Sequence, residues 1–317
     1  MQMESAKIVR AVRPYLHPEG INFKMKAYEA WKDIGGRTAK EHYPWRAFHH
    51  FTYSYDLPKF YENKIEARLR FVQPVSIRFD TFPDTLKYEI IPFMWDCWPR
   101  YDDVLFQWLE KYKIRTAIVT SSQVAEKIRK RNPRMNILWV PEGVDVESYE
   151  EGKSLHDRSI DILNIGRPIK RISKSSIWEE VNSLNTVENG KRKYSPDELS
   201  NVMGNSKVTI CLPRCDTDPD IAKDIETLTQ RYWECMISRI VMVGRAPQEL
   251  KDLIGYNPVI DIDWDNSENQ IKYILTHIDD YQSFVDKNRK TALQKGNWTI
   301  RMREVMGWLQ GLGYLVR

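Results

Sequence analysis

Residues Asp224–Gly244, DIETLTQRYWECMISRIVMVG, decide the fold reading of this 317-residue chain. Thr227 followed three residues later by Gln230 has the form of a capping box, which predicts a helix beginning near Leu228 with its unpaired amide N–H groups directed back at the preceding loop. Such a helix start attracts anions. On a helical wheel Tyr232, Trp233, Met236 and Ile237 share one side while Thr227, Arg231 and Glu234 gather on the other, so the apolar side is expected to bury and the charges to stay at the rim. Glu226 stands eight residues before Glu234, one carboxylate in the loop and the other about two turns along the helix. RIVMVG then reads as an apolar strand ending in glycine.

Working outward, the chain alternates strand and helix. AKIVRAVRP is a first strand stopped by Pro14, and a loop carrying Gly20 feeds a helix, the opening of a Rossmann-like unit in which Gly20 lets backbone approach a ligand. LPKFYENKIEARLRF reads as a helix, VSIRFD as a strand, and KYEIIPFMWDCWP as a strand ending in Asp96 between Trp95 and Trp98. Asp96 is either an acidic group at the carboxyl end of a strand, where ligand crevices of open α/β sheets lie, or a cap for the helix DDVLFQWLEKYK. Strand, serine-capped helix and strand follow in IRTAIVTSSQVAEKIRKR and MNILWVPEGVD, and the polar EGKSLHDRS suits a linker. IDILNIGRP opens the next alternation, Ser195 can cap PDELSNVMG, and VTICLP precedes the Asp224–Gly244 stretch.

Glu226 and Glu234, with P-E-G-V-D at Pro141–Asp145 and Gly166-Arg167 after a buried strand, resemble the motifs of GT-B glycosyltransferases, particularly family 4 and its relatives. The resemblance spans about residues 90 to 255. It implies two Rossmann-like domains facing a cleft: an acceptor-side domain over 1–150, a nucleotide-sugar-binding domain over 158–298, and a closing helix at about 299–317 packed back on the first. By the same resemblance the loop carboxylate Glu226 faces the donor sugar and Glu234 takes the ribose hydroxyls. The helix start at Thr227, Leu228 and Thr229 holds the pyrophosphate, beside Arg231. Gly166 and Arg167 bind donor phosphates, with a lysine expected five residues after the arginine. Ile172 stands there instead, so Lys170, Arg171 or Lys174 is the alternative basic partner. The loop also departs from the family's E-P-F-G, because Thr227 and Leu228 follow Glu226. His49 and His50, in an aromatic-rich segment, are candidates for a base or a hydroxyl-holding imidazole, or for packing.

The implied reaction moves a sugar from a nucleotide-diphosphate donor to an acceptor hydroxyl, leaning toward retention. The saccharide or lipid-linked saccharide acceptor would belong to cell-surface polysaccharide or glycolipid synthesis. An epimerase of the same fold and a catalytically silent binding module are the alternatives. No metal and no cofactor beyond the nucleotide sugar is expected, because helix amides and Arg167 can neutralise the leaving diphosphate.

Composition bounds these readings. Hydrophobic content of 42% and aromatic content of 12% describe a folded globular protein, and no apolar run reaches the length of a membrane span. A net charge of +4 is too small to argue for nucleic acid. MQMESAKIVRAVR has no apolar signal segment, and four cysteines without C-x2-C spacing suit a reducing compartment, so a cytoplasmic location is expected. The run KIRKRNPR, Lys127–Arg134, is either the solvated end of a helix or a patch for anionic lipid headgroups, which would allow peripheral membrane contact.

Overall fold

The computed structural model describes residues 6–14, 23–39, 59, 61–166, 169, 176–188 and 190–317. Gly20, His49, His50, Arg167, Lys170 and Arg171 lie outside the described residues, as does Lys174. The chain divides into two compact units, one gathering Met1–Glu142, Asp220–Ile225 and Trp298–Arg317, the other Gly143–Pro219 and Glu226–Asn297.

In the first unit β1 (Ile8–Ala11), β2 (Glu66–Val72), β3 (Glu89–Met94), β4 (Thr116–Val119) and β5 (Asn136–Trp139) form a sheet in sequence order. Every pairing is parallel. Helices α1 (Phe23–Asp33), α2 (Asp102–Lys111) and α3 (Ser122–Arg131) belong to this unit. Two elements differ from the sequence expectation, and the difference has one cause. EARLRF is strand β2 rather than helix, since Ala67, Leu69 and Phe71 are buried and the segment pairs with β1 on one side and β3 on the other. Burial on a central strand overrides the helical propensity of Glu, Ala, Arg and Leu. VSIRFD, read as a strand, instead makes a 3-10 turn over Pro74–Ser76 and a short helix over Ile77–Thr81. Pro92 is tolerated inside β3 because β4 pairs with it only from Phe93 onward.

The second unit holds β6 (Ile160–Asn164), β7 (Ser183–Asn185), a small antiparallel pair β8 (Val187–Glu188) and β9 (Lys191–Arg192), then β10 (Ser206–Cys211), β11 (Val241–Gly244) and β12 (Ile260–Asp261). Its main sheet is parallel in the order β12-β11-β10-β6-β7. Its longer helices are α4 (Pro196–Gly204), α5 (Gln230–Ile237), α6 (Gln248–Ile254), α7 (Ser267–Thr276) and α8 (Gln282–Lys295), with single turns at Ile177–Glu180 and Arg214–Thr217. Ser195 caps α4 as its sequence predicts, accepting from the Glu198 N–H while Glu198 accepts from the Ser195 N–H, with Pro196 in the first turn. Helix α9 (Trp298–Gly311) then joins the first unit. Its Trp298, Met302, Val305 and Leu309 enter a core with Trp31, Phe71, Phe93 and Trp95, and Leu315 bridges to Ile8. Among the described residues no helix is long and apolar enough to cross a membrane.

Candidate functional site

The second sheet reverses its direction of growth between β6 and β10: the chain places β7 on one side of β6 and later lays β10, β11 and β12 on the other. Ligands of open parallel sheets bind outside the carboxyl ends of strands at such a switch point. The segments leaving β6, β10 and β11 therefore define the candidate site.

After β6, Gly166 takes a left-handed backbone (φ 84°) and donates its N–H to the Thr186 hydroxyl at 2.8 Å. The guanidinium of Arg231, the second residue of α5, lies against it, so close that a Cβ at Gly166 would stand 2.6 Å from Nη2. The left-handed backbone favours glycine there, and any side chain would push the Arg231 guanidinium aside. The Nε of Arg231 is buried with no hydrogen-bond partner among the described residues. Helix α5 begins two residues later than its sequence suggests, at Gln230 with Thr229 as N-cap, and no side chain caps it. The expected capping box does not form, because the Gln230 side chain turns along the helix and donates to Glu234 Oε1 at 2.9 Å.

Glu234 is not at a rim. It is 7% exposed, and the same Oε1 accepts the Tyr149 hydroxyl at 2.7 Å. Two donors thus hold one carboxylate oxygen, while no group of the protein takes Oε2 among the described residues. The side-chain direction of Glu234 is set by the fold before any ligand arrives. Burial, beside the Glu234 charge, pushes the Tyr149 phenol far above its ordinary pKa, so it stays a donor.

Glu226 is differently placed. Its Oε1 accepts from Arg245 Nη1 and its Oε2 from the Gln248 N–H at 3.0 Å, the first amide of α6. In return the buried Glu249 of α6 accepts the Leu228 N–H at 2.9 Å, so two carboxylates and two amides lace the loop before α5 to the start of α6. Thr227 and Leu228 are buried in this lacing. Arg245 also makes a forked pair with Asp216, Nε to Oδ2 at 2.7 Å and Nη2 to Oδ1 at 2.8 Å. The Asp216 hydrogen bonds, with those of Glu226, raise the Arg245 pKa beyond its already high value, leaving a permanent cation at the end of β11.

In the first unit Asp96 does sit beyond the carboxyl end of β3, in a left-handed conformation (φ 52°). It does not cap α2, whose N-cap is Tyr101. Its Oδ2 accepts from Gln73 Nε2 and its Oδ1 from Trp98 Nε1 at 3.2 Å. The basic run of α3 is largely engaged within the fold: Lys127 pairs with Asp102, Arg129 donates to the Ile137 carbonyl at 2.8 Å, and Arg131 lies over the Phe106 ring at 4.1 Å. Among the described residues no cluster of three or more His, Cys, Asp or Glu has a metal-holding arrangement.

No family model matches the sequence, and no curated protein does. Solved structures do match. A sucrose-phosphate synthase from Thermosynechococcus elongatus superposes with a TM-score of 0.59 at 11% identity, over 96% of this chain and 99% of that one. HepE from Anabaena, solved in complex with UDP-glucose, gives 0.57 at 9% identity over 96% and 100%. The fold is GT-B. TarM gives 0.51 at 13% identity over 76% of this chain, which spans 54% of the TarM chain. The β6–β10 switch point lies in the second of the fold's Rossmann-like units.

Sequence reasoning missed Tyr149, Thr186, Asp216, Arg245 and Glu249. Arg245 carried a signal: Gly244-Arg245 after β11 repeats the Gly166-Arg167 pattern after β6. Tyr149, 85 positions from Glu234, carried none.

Proposed function

We propose that the chain is a glycosyltransferase moving a sugar from a nucleotide-diphosphate-sugar donor to an acceptor hydroxyl. The observation that carries this is Glu234: a buried carboxylate held through one oxygen by Tyr149 and Gln230, with the other oxygen left for a ligand. A carboxylate so fixed suits the two hydroxyls of a ribose, because the orientation cost is met before binding. Arg231 and the α5 start, beside the open backbone at Gly166, suit the diphosphate, which carries the charge that develops as the glycosidic bond breaks. Arg167, Lys170 and Arg171 are the remaining candidates for that charge.

Glu226 is read as the organiser of Arg245 and the α6 start rather than as the group that meets the sugar. Retention at the anomeric carbon then runs with assistance from the donor phosphate, and no metal is assigned a role. Asp96 is assigned to acceptor recognition, with His49 and His50 as further candidates. The product would be a polysaccharide or glycolipid, made on the cytoplasmic side with a lipid-linked or free saccharide acceptor.

The matched HepE structure makes UDP-glucose the first donor to try. Incubation with UDP-glucose, and with other nucleotide sugars in parallel, should release nucleoside diphosphate only when an acceptor saccharide is present. Altered sugar still bound to nucleotide would instead indicate epimerisation. A melting temperature unmoved by any nucleotide would overturn the donor site itself.

A further inference from the structure

At the amino end of the first sheet, opposite the strand ends that carry Asp96, lies a cavity of about 410 Å³. It falls in the size range of small-ligand sites. Ile90 and Ile114 contribute apolar surface, Tyr61 and Tyr112 contribute rings, and Lys59, Lys113 and Arg115 bring positive charge. Lys111 adds a fourth cation, although a lysine in the last turn of α2 also complements the helix dipole.

The two carboxylates in the lining do not balance these charges. Glu89 has both oxygens engaged, Oε1 accepting from Tyr314 at 2.6 Å and Oε2 from Lys7 at 2.6 Å. Glu62 gives Oε1 to Lys7 at 3.1 Å and reaches Lys59 only at 3.8 Å. Lys113 and Arg115 make no ion pair and no side-chain hydrogen bond among the described residues. Burial, more than the neighbouring Lys7 and Arg115, depresses the Lys59 pKa against the pull of Glu62 and Glu89.

Lys113 adds a second, independent observation. It occupies the left-handed position that ends α2 (φ 50°), where the Lys113 N–H bonds to the Glu110 carbonyl and the Ile114 N–H to the Leu109 carbonyl. Helices closing this way prefer glycine at that position, and a lysine there costs stability. Lysine there also complements the helix dipole, as Lys111 does, but it bears a backbone cost that glycine would not, and it adds a cation to the cavity lining.

We propose that this cavity is a second anion-binding site, built from the first unit alone, for a small soluble phosphate ester. The phosphate would lie between Lys59, Lys113 and Arg115, and the ester group against the tyrosine rings.

The test is calorimetric titration of the full chain with glycerol phosphate and with inorganic phosphate, in an Arg231→Ala background that disables the proposed donor groups. Both anions should bind. Arg115→Glu should weaken glycerol phosphate by at least about tenfold, as loss of a charge-assisted contact and its replacement by repulsion require. Lys113→Gly should weaken it several-fold while the thermal midpoint holds or rises, which separates a binding role from a structural one. Absence of binding in the Arg231→Ala background, or affinity unchanged by Arg115→Glu, overturns the site. Binding to phosphatidylglycerol vesicles without any response to the soluble ester overturns the assignment of its ligand. Neither result bears on sugar transfer, which is read by acceptor-dependent nucleotide release.

Discussion

The carboxyl ends of the two sheets are built from different materials. Beyond β3 the chain runs into aromatic packing: Trp95 is fully buried, stacks on Phe93 at 4.3 Å and meets Trp298 edge-on at 5.8 Å, and the one acid, Asp96, is tied to Gln73 and Trp98. Beyond β6, β10 and β11 the chain runs into charge: Arg231 against Gly166, Arg245 between Asp216 and Glu226, Glu234 held by Tyr149 and Gln230. A surface of fixed charges and open backbone fits a diphosphate, while the buried aromatics beyond β3 form a rigid apolar backing on which Asp96 is held by Gln73 and Trp98. The difference is what the proposed division of donor and acceptor between the units predicts.

The sharpest way to break this contrast is at its most buried member. Trp95→Ala should destabilise the first unit by about 3–5 kcal/mol, the cost of emptying a core aromatic site, read by denaturant unfolding followed through tryptophan fluorescence. A much smaller loss would mean that the aromatic end is adaptable rather than a fixed wall. Glu234→Ala should weaken donor nucleotide by about 1.5–3 kcal/mol in a calorimetric titration, the scale of a charge-assisted hydrogen bond. Unchanged affinity would remove the ribose assignment. Gly166→Ala should cost about 1–2 kcal/mol of stability, since alanine is strained at a left-handed backbone, and should also weaken nucleotide by displacing Arg231. Stability lost with affinity intact would take Arg231 out of the donor site. Tyr149→Phe should have the smallest effect, about 0.5–1.5 kcal/mol on nucleotide binding, because Gln230 still holds the shared oxygen.

The sequence carried the second unit better than the first. Its central strands contain short apolar runs, and β6, β10 and β11 lie where IDILN, VTIC and VMVG place them. In the first unit EARLRF and VSIRFD exchange their expected states, because Arg68 and Arg70 interrupt the apolar pattern of β2 while the charge is absorbed elsewhere. Arg70 pairs with Asp84, and Arg68 lies over the Tyr88 ring at 3.9 Å. No local pattern announces partners that arrive from more than ten residues away. The same limit governed the site. Arg231, Gly166 and Glu234 were legible as residues. That Glu234 is buried under Tyr149, and that Glu226 serves Arg245, follows only from where distant segments meet.

Helix α9 gives the chain's order a consequence in time. The first sheet cannot close its core until Trp298, Met302, Val305 and Leu309 exist, whereas the second unit's residues run only to Asn297 and its core includes Val285. During synthesis strands β1 to β5 therefore wait for α9, which is made after the whole second unit, and stay exposed until then. Slowing translation after Asn297 should accordingly raise the chain's demand for chaperones, and a break in the chain before Trp298 should cost the unit that opens the sequence rather than the one it follows.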